Sequence, residues 1–387
     1  MISRSNFIHL SRWIAAFLVL ISHLRSILFK NYGQSAIYKE KAIQLFYFIT
    51  GLGHQAVIIF FVLSGYLIIS SILKQFDKEQ FSFKNYAINR ISRLYAVLIV
   101  ALILTVILDH FGSGFDNIGV YTNKIHFAAM GFSVESRSSF LYFVASLFML
   151  QNIVVPPLGS NGPLWSLNYE FFYYLLFPCL CIPFLQVLKG GKNFKSLLYI
   201  FCGIILFFIL PGSIIIYFSL WLLGIVPIYL TIRFRAFNYI LPLILLGMLF
   251  YQRTHIEKFS AYSYDLAIGI IFSLWLCCFG EFKYKSKFYK LNEWFASFSY
   301  TLYLVHLPLI LCTLTIIHFY FYSGIAMDPS IRTFLLFFMV LIVSYVFAYL
   351  VASMTEFKTN RFKSFLEKIT LKPKLSNKKI DYVSPHK

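Results

Sequence analysis

Apolar runs long enough to cross the roughly 30 Å hydrocarbon core of a bilayer recur from one end of this chain to the other. Trp13–Phe29, Phe60–Leu73 with its lead-in, and Ile331–Met354 are three of them. Inside hydrocarbon each such run must satisfy its own backbone hydrogen bonds, and this selects helices or a closed barrel; runs of this length select helices. The composition agrees, since 59% of the 387 residues are hydrophobic, 20% aromatic and 13% charged. Soluble domains carry about 45–50% apolar residues. The expected fold class is all-α, a polytopic transmembrane helical bundle.

Charge placement orders the bundle. Basic clusters lie at Lys74–Arg93, Lys189–Lys195, Arg233–Arg235, Lys283–Lys290 and from Lys358 onward, and with the N-terminus they hold about 25 of the 34 Lys and Arg residues. Because basic loops stay on the cytoplasmic side, an even number of crossings separates consecutive clusters. The crossings expected are 7–29, 45–73, 94–111, 164–188, 197–210, 214–232, 239–252, 262–280, 297–320 and 332–355, about ten helices with both termini cytoplasmic. Parity leaves Ser139–Val155 without a crossing, so it is expected to be a re-entrant or interfacial helix on the outer side. The 197–210 helix is short and ends at Pro211-Gly212; it crosses with tilt or local thinning, or stops partway.

The first apolar run holds Arg12 and His23 and lacks a small-x-small cleavage pattern, so it reads as a retained helix. Residues 1–357 form one membrane domain, and 358–387 a basic tail expected to be disordered. The net charge of +19 is explained by these loops; no folded basic face with interleaved aromatics points to nucleic acid. The six cysteines, Cys179, Cys181, Cys202, Cys277, Cys278 and Cys312, lie in apolar runs without zinc-like spacing, so they read as core residues and no metal site is expected.

Ionisable groups inside a membrane cost several kcal/mol unless they face a cavity or a partner, which makes each one a functional candidate. Arg12 and His23 are eleven residues apart on one helix, about 20° apart around it and about 16 Å along it. The plain alternatives are a snorkelling anchor for Arg12 and a cross-helix hydrogen bond for His23. Glu170 sits one turn inside the helix starting at Leu164; a buried carboxylate must be paired or protonated, and Arg25 is the structural partner to consider. Arg90 and Arg93 share a face at the approach to the next helix and can grip a phosphate, or simply anchor the loop. His306 is a second mid-span imidazole, with Pro308 just after it. Ser64-Gly65 puts two small residues in an aromatic run, permitting close approach of a backbone or a ligand.

Taken in order, Arg12 with His23, FFVLSGYLI from Phe60, NRISRLY from Asn89, WSLNYEFFYYLLFP from Trp165 and SYTLYLVHLP from Ser299 resemble the membrane acyltransferase-3 family over nearly the whole chain. Trp13, Ile58 and Ala96 depart from residues common in that family, namely glycine, an acid and proline. The resemblance implies O-acylation of a surface glycan such as O-antigen or capsule at the bacterial inner membrane, with acetyl-CoA as donor and no metal. It points to His23 as the essential imidazole, Arg12 as its basic partner and Arg90/Arg93 as a further motif. Some relatives carry a hydrolase-like domain after the membrane part; none is expected here, because the chain ends soon after its last helix.

The site expected on this basis has His23, Arg12 and Glu170 in catalysis. Arg90, Arg93, Ser64 and Gly65 are expected around the acetyl-CoA, and Trp165, Ser166, Tyr303 and His306 around the acceptor. The partners are a glycan or lipid-linked glycan and membrane lipids. A glycan or lipid transporter would also need intramembrane charges, but the inverted repeats common in such proteins are not evident. A glycan polymerase or ligase would need a large basic outer loop, whereas 112–163 contains only Lys124 and Arg137 as Lys or Arg.

Overall fold

The computed structural model describes residues 3–34, 39–127, 130–188, 194–254, 260–280 and 287–370. In chain order the helices are α1 Arg4–Leu28, α2 Lys41–Ile49, α3 Gly53–Asp77, α4 Phe83–Ser113, α5 Phe140–Leu147, α6 Leu164–Leu188, α7 Phe194–Ile209 and α8 Gly212–Leu222. They continue as α9 Val226–Tyr229, α10 Phe237–Thr254, α11 Ala261–Cys277, α12 Lys287–Ser297, α13 Ser299–Phe321, α14 Ile331–Met354 and α15 Thr359–Thr370. Seven helical segments among the described residues are long and apolar enough to cross a membrane, and Ser196–Ile209 and Ala261–Cys277 are shorter apolar helices. The ten stretches expected to cross are largely helical, with 45–73 divided between α2 and α3 and 214–232 among α8, a 3-10 turn and α9, so the chain is an all-α multi-pass membrane protein.

The expected re-entrant or interfacial stretch contains α5, whose eight residues rise only about 12 Å and cannot cross. The tail differs from expectation. From Thr359 to Thr370 it forms α15, packed along α4, because Phe362, Phe365, Leu366 and Ile369 recur at helical spacing and make one apolar stripe. Residues 371–387, with parts of the Lys189–Lys195 and Lys283–Lys290 clusters, lie outside the described residues.

Hydrogen bonds sort the helix ends into two sets, as charge parity requires. At one end buried Arg4 donates to Phe279 O at 2.8 Å and Pro227 O at 3.0 Å, joining the start of α1 to the ends of α9 and α11. Glu356, after α14, accepts from Thr301 N at 3.0 Å and Thr301 Oγ1 at 2.8 Å, satisfying the first turn of α13, where an anion also suits the helix dipole. At the other end Lys30 pairs with Asp328 at 2.6 Å, the start of α6 reaches α8 through Tyr169 and Ser213 at 2.8 Å, and the start of α3 reaches α11 through His54 and Asp265 at 2.8 Å. The described basic loops all fall at the first end.

Helix α13 is the hub, packed against α1, α4, α12 and α14. Within its most apolar window 72% of residues are buried, against 28–61% in the other six spans; a helix apolar all round belongs inside. Pro308 has no N–H to give the carbonyl of Leu304. Asn161 Nδ2 donates to that carbonyl at 2.9 Å and to Thr105 Oγ1 on α4 at 2.9 Å. The same loop is held again at Asp109 of α4, which accepts from Ser160 N at 2.8 Å and Ser160 Oγ at 2.6 Å. In α6, Pro178 likewise frees the carbonyl of Tyr174, and Tyr86 Oη donates to it at 2.9 Å.

Gly65 meets another backbone. A Cβ there would lie 1.9 Å from Trp221 O, and one at Gly224 would lie 2.1 Å from Tyr66 N. The short 3-10 turn Leu223–Ile225 between α8 and α9 therefore seats directly on α3.

Gly65→Val is expected to abolish the monodisperse peak in detergent size-exclusion chromatography, whereas Gly247→Ala, with nothing within 4 Å of the added Cβ, is expected to leave it unchanged. Asn161→Ala leaves Leu304 O and Thr105 Oγ1 without this donor and should cost about 2 kcal/mol or more, read as a lower melting temperature. A melting temperature equal to wild type would mean that other groups satisfy the Leu304 carbonyl.

Candidate functional site

Two cavities enter the bundle and share Val57 and Tyr303 in their walls. The larger, about 430 Å³, is lined by His23, Arg25, His54, Arg137 and Trp165 among others. The smaller, about 100 Å³, holds Arg12, Arg90, Arg93, Ser64, Glu170 and Tyr174 in its wall. Helix α1 thus presents Arg12 to one cavity and His23 to the other, and the eleven-residue spacing sets their depths about 16 Å apart.

The smaller cavity is rich in cations. Arg12 Nη2 reaches Ser299 Oγ at 3.5 Å, and Arg93, Glu356 and Glu170 are the charged groups near enough to act on it. Arg90 lies over the Tyr86 ring at 5.6 Å, with its Nε buried and unpaired. Among the described residues none of the three arginines has an ion-pair partner within 4 Å. Glu170 accepts from Ser64 Oγ at 2.5 Å and from Tyr174 Oη, and Trp221 Nε1 donates to Ser64 at 3.2 Å. Arg12 and Arg90 are partly buried and Arg93 is exposed; a partly buried arginine without a carboxylate partner is costly unless an anion completes it.

The larger cavity is bounded by the loop that Asn161 and Asp109 hold. That loop delivers Trp165 to the cavity wall, and Ser166 Oγ and Tyr303 Oη lie 2.7 Å apart. Tyr303 Oη also donates to Pro163 O at 3.1 Å, fixing the ring that both cavities share. His23 lines the wall with its Nδ1 buried and unpaired. Behind it the His306 ring lies 5.2 Å away between centroids, 1% exposed. His306 Nδ1 is 2.8 Å from Tyr303 O; a carbonyl only accepts, so Nδ1 carries the proton and Nε2 keeps its lone pair.

Most residues singled out from sequence come together here, with three exceptions. Gly65 faces the Trp221 backbone and lines neither cavity. His306 lines neither cavity and backs His23 instead. Arg25 is no partner of Glu170: it lies over the Tyr47 ring at 5.4 Å and lines the His23 cavity, whereas Glu170 lines the other cavity, beyond the shared Val57–Tyr303 wall.

Sequence reasoning missed His54, Asp265, Arg137 and Glu356. His54 Nε2 is 2.8 Å from Asp265 Oδ2, and Asp265 also accepts from Tyr217 Oη at 2.7 Å. Asp265 is an acid inside an expected crossing and Glu356 adjoins the end of another, so the rule applied to Glu170 would have found the first and come close to the second.

The family model described as an acyltransferase domain matches residues 5–349. The peptidoglycan O-acetyltransferase OatA of Listeria monocytogenes is 35% identical over 153 residues, 39% of this chain and 23% of that protein. A protein of Haemophilus influenzae described only as uncharacterized is 30% identical over 159 residues, 40% of this chain and 58% of its own length. The matched stretches therefore span less than two thirds of either relative. No solved structure matches. With the family model covering nearly the whole chain, this protein belongs to the acyltransferase-3 family.

Proposed function

We propose that this protein moves an acetyl group from acetyl-CoA on the cytoplasmic side to a hydroxyl of a surface glycan on the other side of the bacterial inner membrane. The observation that carries this reading is the pair of cavities meeting at Val57 and Tyr303, with Arg12, Arg90 and Arg93 in one and His23 in the other. The basic loops gather at the end where α1 begins, and the positive-inside rule puts that end in the cytoplasm, where acetyl-CoA is made.

The three arginines suit the CoA phosphates, since guanidinium groups form forked, charge-assisted hydrogen bonds to them. From there an extended pantetheine arm can carry the thioester along α1 toward His23, about 16 Å away. Glu170, Ser64 and Tyr174 form a hydrogen-bonded group on that route. His23 then serves as a base for the acceptor hydroxyl or takes the acetyl group itself. Trp165 offers an aromatic face to a sugar ring.

The test is transfer of radiolabel from acetyl-labelled acetyl-CoA into surface polysaccharide by membranes holding matched amounts of each variant. His23→Ala is expected to lower transfer by at least about 100-fold, and Arg12→Ala to lower it strongly as well. Arg90→Ala or Arg93→Ala is expected to raise KM for acetyl-CoA about tenfold or more, the loss of one charge-assisted hydrogen bond. Transfer by His23→Ala at the wild-type rate would exclude this mechanism, and an unchanged KM in both arginine variants would exclude their role in donor binding.

A further inference from the structure

The larger cavity contains a second imidazole in an arrangement suited to catalysis. His54 stands in the first turn of α3 and lines the same wall system as His23, with 44% of its side chain exposed. Its Nε2 lies 2.8 Å from Oδ2 of Asp265, whose side chain is fully buried. Ionised, that carboxylate can only accept, so Nε2 carries a proton and, in the neutral ring, Nδ1 keeps its lone pair. Tyr217 Oη donates to the same oxygen at 2.7 Å, and Trp165 lies parallel to the imidazole, 6.4 Å between centroids and 16° between planes. A carboxylate that fixes the tautomer and orientation of a half-exposed imidazole is what a general base needs. The other charged or titratable groups lining this cavity are His23 and Arg25 on α1, Arg137 on the loop and Tyr303 on α13.

Resting on the acetyl-transfer reading above, we propose that His54 is the base that takes the proton of the acceptor hydroxyl, positioned by Asp265, while His23 carries the acetyl group. A His23 ring nitrogen attacks the thioester carbonyl and the C–S bond breaks. The CoA thiolate leaves as the thiol, with the proton that the acylated imidazole releases. His54 then removes the hydroxyl proton, the oxygen attacks the acetyl carbon and the C–N bond breaks. The proton held by His54 returns to the His23 ring across the shared cavity. The sum is thioester plus alcohol giving ester plus thiol, with both imidazoles restored.

The division of labour separates two half-reactions, and the experiment measures both on the full-length protein in lipid. Acetyl label retained on the protein after brief exposure to labelled acetyl-CoA reports the first, and label reaching surface polysaccharide reports the second. His54→Gln is expected to lower polysaccharide labelling at least about 100-fold while protein-bound label forms as in wild type and persists longer. His54→Asn, which keeps a donor for Asp265, serves if His54→Gln fails to elute as folded protein, with the same outcome expected. Asp265→Asn is expected to lower transfer about tenfold or more and to displace the acidic limb of the pH–rate profile. Transfer within threefold of wild type and an unchanged profile in a folded His54 variant would overturn the proposal and leave the pair as a tie between α3 and α11, with acetyl transfer by His23 still standing. Loss of protein-bound label in the His54 variants would overturn it as well, by placing His54 in the donor half. No transfer by wild type to any acceptor fraction would remove the acetyl-transfer reading and this inference together.

Discussion

Every carbonyl inside a bilayer needs a donor, and the helix at the centre of this protein has lost one. Pro308 leaves the Leu304 carbonyl without its usual N–H, and the bundle answers with Asn161, a residue from the loop before α6. That answer organises the site. Because Asn161 must reach the middle of α13 while also donating to Thr105, the loop is drawn into the bundle instead of lying over it. Trp165 and Ser166 follow within five residues. Asp109 and Ser160 reinforce the same placement from α4. A cavity wall made from a loop has in this way the fixity of one made from helices.

Much of the architecture was legible in the chain because apolar length and basic loops are one-dimensional signals. The expected crossings from 7–29 to 332–355 are largely helical, two of them broken into shorter elements, and hydrogen bonds group the helix ends consistently with the Lys and Arg clusters. Arg12 and His23 could be placed at two depths because they share a helix. Partners on different helices were not legible. Nothing in the spacing of His54 and Asp265, 211 residues apart, announces a 2.8 Å contact. Gly65 was expected near a ligand or a backbone, and only the fold decides for the Trp221 backbone. Helix α15 was missed because its apolar stripe is embedded in basic residues, so mean composition concealed a periodic pattern.

The distribution of polar groups follows a simple division. Around the smaller cavity three arginines and Glu170 cluster, with Glu356 near enough to act on Arg12. Around the larger one stand two imidazoles and two arginines, with Asp265 behind one imidazole and His306 behind the other. Each of the two cavity-lining histidines is therefore backed by a buried group on another helix, so the orientation of the ring depends on interhelical packing at α11 or α13.

The shared wall at Val57 and Tyr303 has an electrical consequence. Moving one elementary charge through a membrane potential is worth about 2.3 kcal/mol per 100 mV. Where water fills the recesses on both sides, the voltage no longer falls evenly over the full bilayer thickness but mainly across the thin partition between them. The local field there is correspondingly steep, and Tyr303, pinned by its hydrogen bonds to Ser166 and Pro163, stands inside it. A membrane-spanning bundle with a recess on either side of one wall must also remain an insulator, and the Tyr303 ring is part of that wall.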